Sequence, residues 1–407
     1  MIKNISRQEK TYLRDLAKEQ LELSQLPLMQ KRVHEWTLHN SLQGQRPMIH
    51  FEMRMIADKG FNPECKCESE SARIIERTIL SAMANHKMVG DDRVVTNDFV
   101  CHYKSQMIPF NMRVKREETG GVGFHIINQI ESLDSLEQIK PSLTDYDIEG
   151  SYQWKDFVKD IIGDILNVRM GMNGFYVCLT NDIVHRMGME NMFMSIYDNP
   201  DNFHYMMNSL SDDYVAHIKE LQQRGMICAN NKNDFVAQGS FGFCRDLPDN
   251  ALKTSDCWGY MDSQETVGIG ADMFDEFFFP YYKKVADYFG LLSYGCCEPV
   301  HGIWRSLSKF TNLRKISISP WCDEEYMGEA LRGRDVIYLR KPSPNYIGVG
   351  KNLDEADFRE HVRKTLYAAN GCKLEFAFRD VYTLDGNLSK PKRVVAIVRE
   401  EIENLWR

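Results

Sequence analysis

Ser293-Tyr-Gly-Cys-Cys-Glu-Pro-Val-His301 is the part of the chain richest in chemistry, with two thiols, a carboxylate and an imidazole in one short stretch. Thiolates combined with imidazole or carboxylate are the donor set Zn²⁺ accepts, with one position left open where the metal is catalytic. Cys296, Cys297, Glu298 and His301 are therefore candidate metal ligands. Cys372, in Asn370-Gly-Cys-Lys-Leu-Glu375, is their candidate partner from later in the chain. An extended strand running through Cys296 and Cys297 would point them to opposite sides, so one of the two ligates, and the sequence leaves open which. Cys322 follows another apolar run. Cys65, Cys67, Cys101, Cys178, Cys228, Cys244 and Cys257 are read as small buried hydrophobes, the commoner fate of an isolated cysteine.

Two histidines are candidate catalytic groups, because imidazole titrates near neutrality. His125 lies in Gly123-Phe-His-Ile-Ile-Asn128 and His185 in Thr180-Asn-Asp-Ile-Val-His185. Asn181 shares the second loop and is a candidate for substrate contact. The methionines from Met170 to Met194 read as core packing. Gly120-Gly-Val-Gly123 lacks the Lys-Ser/Thr that completes a phosphate loop.

The elements that must position these residues are legible as apolar runs. Eight runs of strand type recur: 94–100, 174–180, 226–231, 258–264, 291–296, 315–320, 336–341 and 373–378. Most are separated by enough residues for a helix, as parallel strands require, and their continuously apolar character suits strands buried on both faces. Eight such units predict an α/β fold, a (β/α)8 TIM barrel over 91–407. Residues 1–90 read as a helical and irregular N-terminal extension, with leucines at helical spacing from Glu9 to Leu26 and a capped helix opening at Ser69. The long interval between Val100 and Gly174 reads as an excursion over the mouth. In such a barrel the chemistry sits at the C-terminal ends of the strands.

Composition narrows the function. A net charge of −8 with no sustained Lys/Arg run excludes a nucleic-acid partner. No stretch approaches the roughly 20 apolar residues that cross a bilayer, so no membrane partner is expected. The N-terminus is charged from the start, and the eleven scattered cysteines do not suggest a disulfide framework, which predicts a reducing cytoplasm.

Four motifs, Phe278-Phe-Pro-Tyr-Tyr282, Tyr294-Gly-Cys-Cys-Glu-Pro299, Leu313-Arg-Lys-Ile-Ser-Ile-Ser-Pro-Trp321 and Leu339-Arg-Lys-Pro342, resemble the uroporphyrinogen decarboxylase superfamily, in particular its corrinoid methyltransferase branch. In that branch zinc is held by a His-x-Cys at a late strand end and a second Cys about 75 residues on. Tyr294-Gly-Cys296 and Gly371-Cys372 take those places here. Tyr294 replaces the histidine, so Glu298 or His301 would have to serve as the missing ligand, and Tyr294 becomes a candidate for substrate contact. The resemblance implies a zinc-dependent enzyme that moves a methyl group between a small methylated substrate and a corrinoid (cobalamin) carried on a partner protein. Two alternatives remain: a decarboxylase of uroporphyrinogen type, and a barrel that binds a tetrapyrrole or corrinoid without turnover. The decarboxylase pattern requires a central aspartate, for which Asp98 is placed, and two arginines, of which the sequence offers one, Arg54.

Overall fold

In the computed structural model, which describes residues 5–118, 124–172 and 175–406, most of the apolar runs become strands of one sheet. Its strands are β1 (Met48–Phe51), β2 (Phe175–Val177), β3 (Trp258–Met261), β4 (Leu291–Tyr294), β5 (Leu313–Ile318), β6 (Ile337–Arg340) and β7 (Lys373–Phe378). Their order is β1-β7-β6-β5-β4-β3-β2, and every pairing is parallel. Every residue of β1, β3, β4 and β6 is buried, as a sheet covered on both faces demands. Helices carry the chain back between strands, among them Leu179–Asp198 and Pro200–Gln223 after β2 and Glu355–Ala368 after β6, and the helix Lys390–Leu405 follows β7.

The protein is thus α/β with a seven-stranded parallel sheet. Hydrogen bonds between β1 and β2 do not close it into a ring among the described residues. Two of the expected strands fall elsewhere. The run at 226–231 forms no strand. Where a neighbour would pair with the start of β3, the Asn230 side chain bonds both the N–H and the carbonyl of Trp258, at 2.9 Å each. The first run becomes Asp98–His102, which pairs in parallel with Asn167–Gly171 in a separate two-stranded sheet. Conversely, β1 lies inside the segment read as an extension, so the sheet begins before residue 91.

The N-terminal helices keep a core of their own. Arg7–Ser24 opens on a capping box between Ser6 and Glu9, and Ser69 caps the helix Glu70–Ala84. Leu13, Leu16, Trp36, Ile75 and Ile79 pack with Phe99, Val158 and Ile161. The interval after Val100 contributes an antiparallel pair, Lys104–Ile108 with Leu143–Asp147, and the helix Ile148–Ile162. The Gly120–Gly123 stretch lies outside the described residues.

Within the sheet a buried ion pair joins β5 to β7, with Lys315 Nζ 3.1 Å and His39 Nε2 3.2 Å from Glu375 Oε2. Lys315 also sits between the rings of Trp36 and Trp258. Burial works against the Glu375 charge, but Lys315 and His39 outweigh it and hold the carboxyl at about 2.

Candidate metal centre and the cavity beside it

Neighbouring parallel strands bring their next residues to one level. Val177 of β2 is paired with Met261 of β3, so Cys178 and Asp262 emerge side by side at the C-terminal edge of the sheet. The turn Gln264–Thr266 then folds Glu265 back onto them. One ligand atom from each of Cys178, Asp262 and Glu265 lies within 4.8 Å of the other two, and all three residues are buried.

The surroundings fix this trio. Cys178 Sγ donates to Glu265 Oε2 at 3.5 Å, and Thr180 and Asn181 donate to the same carboxylate at 2.8 Å each. Tyr260 and Tyr176 hydroxyls donate to Asp262 at 2.9 and 3.1 Å. Burial pushes the Cys178 thiol well above its ordinary value. Burial, joined by the charge of Glu265, also pushes Asp262 upward against the hydrogen bonds it receives. Two carboxylates and a thiol crowded together with no ion-pair partner among the described residues are what a bound cation relieves. Ligand atoms around tetrahedral zinc stand about 3.3–3.8 Å apart, given bonds of about 2.0–2.3 Å, so rotations of about 1 Å would close the set. The residues present therefore fit zinc.

The tyrosines connect this cluster to open space. Tyr176 and Tyr260 stack with ring centroids 4.9 Å apart, and both line a cavity of about 750 Å³. Arg54, Arg77 and Arg93 line the same cavity, as does Gln238. A single arginine was expected from the sequence. The helix Glu70–Ala84 and the loop after it supply two more, which no linear motif contains.

The sequence-selected thiols form a second group beside the first. After β4, Gly295 takes φ +98°, a left-handed conformation in which a Cβ would come 3.1 Å from Ser317. This turn places Cys296 Sγ 3.4 Å from Cys297 Sγ. Glu298 is buried beside them, but its oxygens accept from the backbone N–H groups of Cys296 (2.8 Å) and Ser263 (3.0 Å), stapling the β4 turn to the β3 turn. Burial and then Asp262 push the Glu298 carboxyl up to about 7.

The rest of the expected ligand set does not converge. His301 Nδ1 accepts from the Asp323 N–H at 3.2 Å, and its ring sits edge-on to Tyr326. Cys372 precedes β7, at the opposite edge of the sheet from the residues that follow β4. Its thiol donates to the Gly328 carbonyl at 3.4 Å. Tyr294 lies on one rung with Ile316, Tyr338 and Leu374. Cys296 is two residues above that rung and Cys372 two below, about 13 Å along the strand direction before the three strand spacings are added. A site shared by Cys372 with Cys296 or Cys297 is ruled out. The error has a plain cause: a thiol at the start of a parallel strand was grouped with thiols at strand ends.

Of the other candidates, Asn181 belongs to the Cys178 cluster through Glu265, and His185 lies half-buried on the helix beginning at Leu179. Burial, with Arg116 and Arg186, lowers its pKa. Arg54 is exposed on the cavity wall. Tyr294 is buried and bonds Ser263 Oγ at 2.6 Å, so it supports the β3 turn instead of meeting substrate. Asp98 is committed to Arg169 at 2.8 Å on the outlying strand pair, and His125 is exposed on the strand Phe124–Ile126. Neither is placed in the cluster. The sequence missed Cys178, Asp262 and Glu265 although the first two lie inside correctly located apolar runs. The available signal was a polar or thiol residue breaking an apolar run near its C-terminal end.

No protein-family profile matches the chain, and no curated protein matches it. Among solved structures, it is similar to a methyltransferase from Methanosarcina mazei, with a TM-score of 0.49 and 12% identity over 80% of this chain and 85% of that one. At that distance the alignment assigns no residue a role.

Proposed function

We propose that this chain is a zinc-dependent methyltransferase that moves a methyl group between a small methylated substrate and a corrinoid on a partner protein. The observation that carries the zinc centre is the buried Cys178–Asp262–Glu265 trio at the ends of two adjacent parallel strands, joined through Tyr176 and Tyr260 to a cavity large enough for a small molecule. The methyl chemistry and the corrinoid rest on the resemblance in the sequence, as does the completed eight-stranded barrel. Zinc at this position would supply Lewis acidity, making a thiol or hydroxyl anionic near neutral pH or its methylated form easier to cleave. Asn181 and Thr180 orient Glu265, and the two tyrosines orient Asp262 from the cavity side. The unpaired cysteines fit a reducing compartment.

The arginines favour a second reading. Arg54, Arg77 and Arg93 in one cavity suit a substrate carrying carboxylates, as a decarboxylase of porphyrinogen type requires. Elemental analysis together with methyl transfer to free cob(I)alamin decides between them. Stoichiometric zinc and methylcobalamin formation support the first reading. Metal-free protein that decarboxylates uroporphyrinogen establishes the second.

A further inference from the structure

Three arginines are buried among the described residues, and one of them lacks an acid. Arg340 is 2.6 Å from Glu324, and Arg186 is 3.1 Å from Asp182. Arg32, on the helix Pro27–Asn40, is 3% exposed and has no carboxylate within 4 Å of its guanidinium among the described residues. Its Nη1 donates to two neutral acceptors, the Arg93 carbonyl at 2.9 Å and the Met29 sulfur at 3.9 Å, while its Nε has no hydrogen-bond partner. Burial lowers its pKa against Asp91 and Asp92, which act on it from farther off. A buried charge without a counter-charge is costly, and a bound anion would remove that cost.

Arg32 lines a cavity of about 460 Å³ that shares no wall residue with the larger cavity beside the metal centre. Arg46, Arg399 and Lys31 line it too, and the acids that face them are shared. Asp92 serves Arg46 and Arg399 at 2.9 Å each and also accepts from the Ile49 N–H. Glu35 accepts from Arg46 at 2.6 Å and stands 3.9 Å from Lys31. Two carboxylates therefore face three cations before Arg32 is counted, and the other acid on the wall, Glu403, is exposed to solvent. His86 adds a buried Nδ1 that has no partner.

We infer that this cavity binds a phosphate monoester, with Arg32 as the buried anchor of the phosphate and Arg46 and Arg399 at its rim. The three guanidinium groups come from different elements, a helix, the segment before β1 and the last helix. Such forks suit a tetrahedral oxyanion, whose oxygens point in several directions, better than a planar carboxylate. A phosphate group carries roughly 1.5 to 2 negative charges at neutral pH, which answers both Arg32 and the surplus among the other cations. The cavity is roomier than the bare ion needs, and Leu28 and Ile402 give it an apolar wall for a small organic body. Arg46 precedes β1, so the site lies at the opposite end of the sheet from Cys178 and Asp262 and takes a second ligand, distinct from the methyl donor. Arg32 also holds the carbonyl of Arg93, whose side chain lines the larger cavity, so the bound phosphate braces that wall.

Calorimetric titration of the intact protein with phenyl phosphate and with inorganic phosphate tests the inference, and neither zinc nor methyl transfer enters the readout. Phenyl phosphate should bind saturably with a Kd of about 1 mM or below, at least about 5-fold tighter than inorganic phosphate. Arg32→Met should weaken that binding at least about 10-fold, and Arg399→Gln, a change at an exposed position in case the first variant does not fold, at least about 3-fold. Without ligand, Arg32→Met should lower Tm less than Arg340→Met, because the second strands Glu324 whereas the first removes a charge with no partner. No saturable binding up to about 10 mM, binding that neither variant weakens, or an equal loss of Tm in the two methionine variants overturns the inference. Inorganic phosphate binding as tightly as the ester would assign the cavity to the free ion and overturn the ester.

Discussion

Two regions of this molecule bury charge, and they do it in opposite ways. Inside the sheet, Lys315 and Glu375 are an acid and a base at ion-pair distance, with His39 and two tryptophan rings completing the enclosure. At the C-terminal edge, Cys178, Asp262, Glu265 and Glu298 crowd together with no base among them. Lys341 follows β6 and donates to the Cys296 carbonyl at 3.2 Å, with no carboxylate within 4 Å of its Nζ among the described residues. The first arrangement is electrically closed and has no use for a ligand. The second is open: burial and the neighbouring acids push its carboxyls and thiol upward, an imbalance that a bound cation would relieve.

The sharpest way to break the comparison is to open the closed region. Lys315→Met should strand the Glu375 carboxylate and destabilise the fold by about 3–5 kcal/mol, read from urea unfolding. A loss below about 1 kcal/mol would show that the interior pair is not what distinguishes the two regions. In the open region, Asp262→Asn and Cys178→Ser should each lower zinc occupancy and methyl transfer at least about 100-fold while the far-ultraviolet circular dichroism stays unchanged.

The two regions should also respond to pH with opposite signs. Glu375, held at about 2, has a folded pKa below its unfolded value. Its contribution is present above about 4.5 and is lost as the pH falls towards 2. Glu298, raised to about 7, behaves in reverse. Its contribution is full below about 4.5 and is lost as pH rises to about 7, a change of roughly 3 kcal/mol. Histidines held low by burial, such as His361, contribute the opposite slope in this window, so the test is a difference: the unfolding free energy of metal-free Glu298→Gln should rise more with pH between about 4.5 and 7 than that of the unaltered protein. An unaltered slope in the variant would assign it to another group.

How much of this could be read beforehand follows the same division. The strands β2 to β7 were legible because fully buried parallel strands are continuous apolar runs, and that signal is local. Met48–Phe51 was not, since four residues after Pro47, one of them His50, give too short a pattern. The stretch 226–231 looked like a strand until an asparagine side chain took over the pairing that a backbone would have made. The site was harder. Cys178 and Asp262 are 84 residues apart, and Glu265 depends on a turn, so their meeting is a property of sheet order that no spacing encodes. The Cys296–Cys297 pair was visible because it is contiguous, but its partners were not, since Lys341 arrives from another strand.

The smallest expected effect concerns the thiol that sequence reasoning misplaced. Cys372→Ala should cost about 1–2 kcal/mol of stability, as truncation of a small buried side chain does, and leave zinc content and turnover per folded molecule unchanged. Loss of zinc in that variant would restore Cys372 to the metal site against the geometry.

The central claim is that the open cluster, and not the adjacent thiols, holds the metal. X-ray absorption at the zinc edge of the metal-loaded protein tests it most directly, because sulfur and oxygen ligands differ in bond length, about 2.3 against about 2.0–2.2 Å. One sulfur with the remaining ligands oxygen or nitrogen is the result expected for Cys178, Asp262 and Glu265. Two or more sulfurs, or no bound zinc, would contradict it.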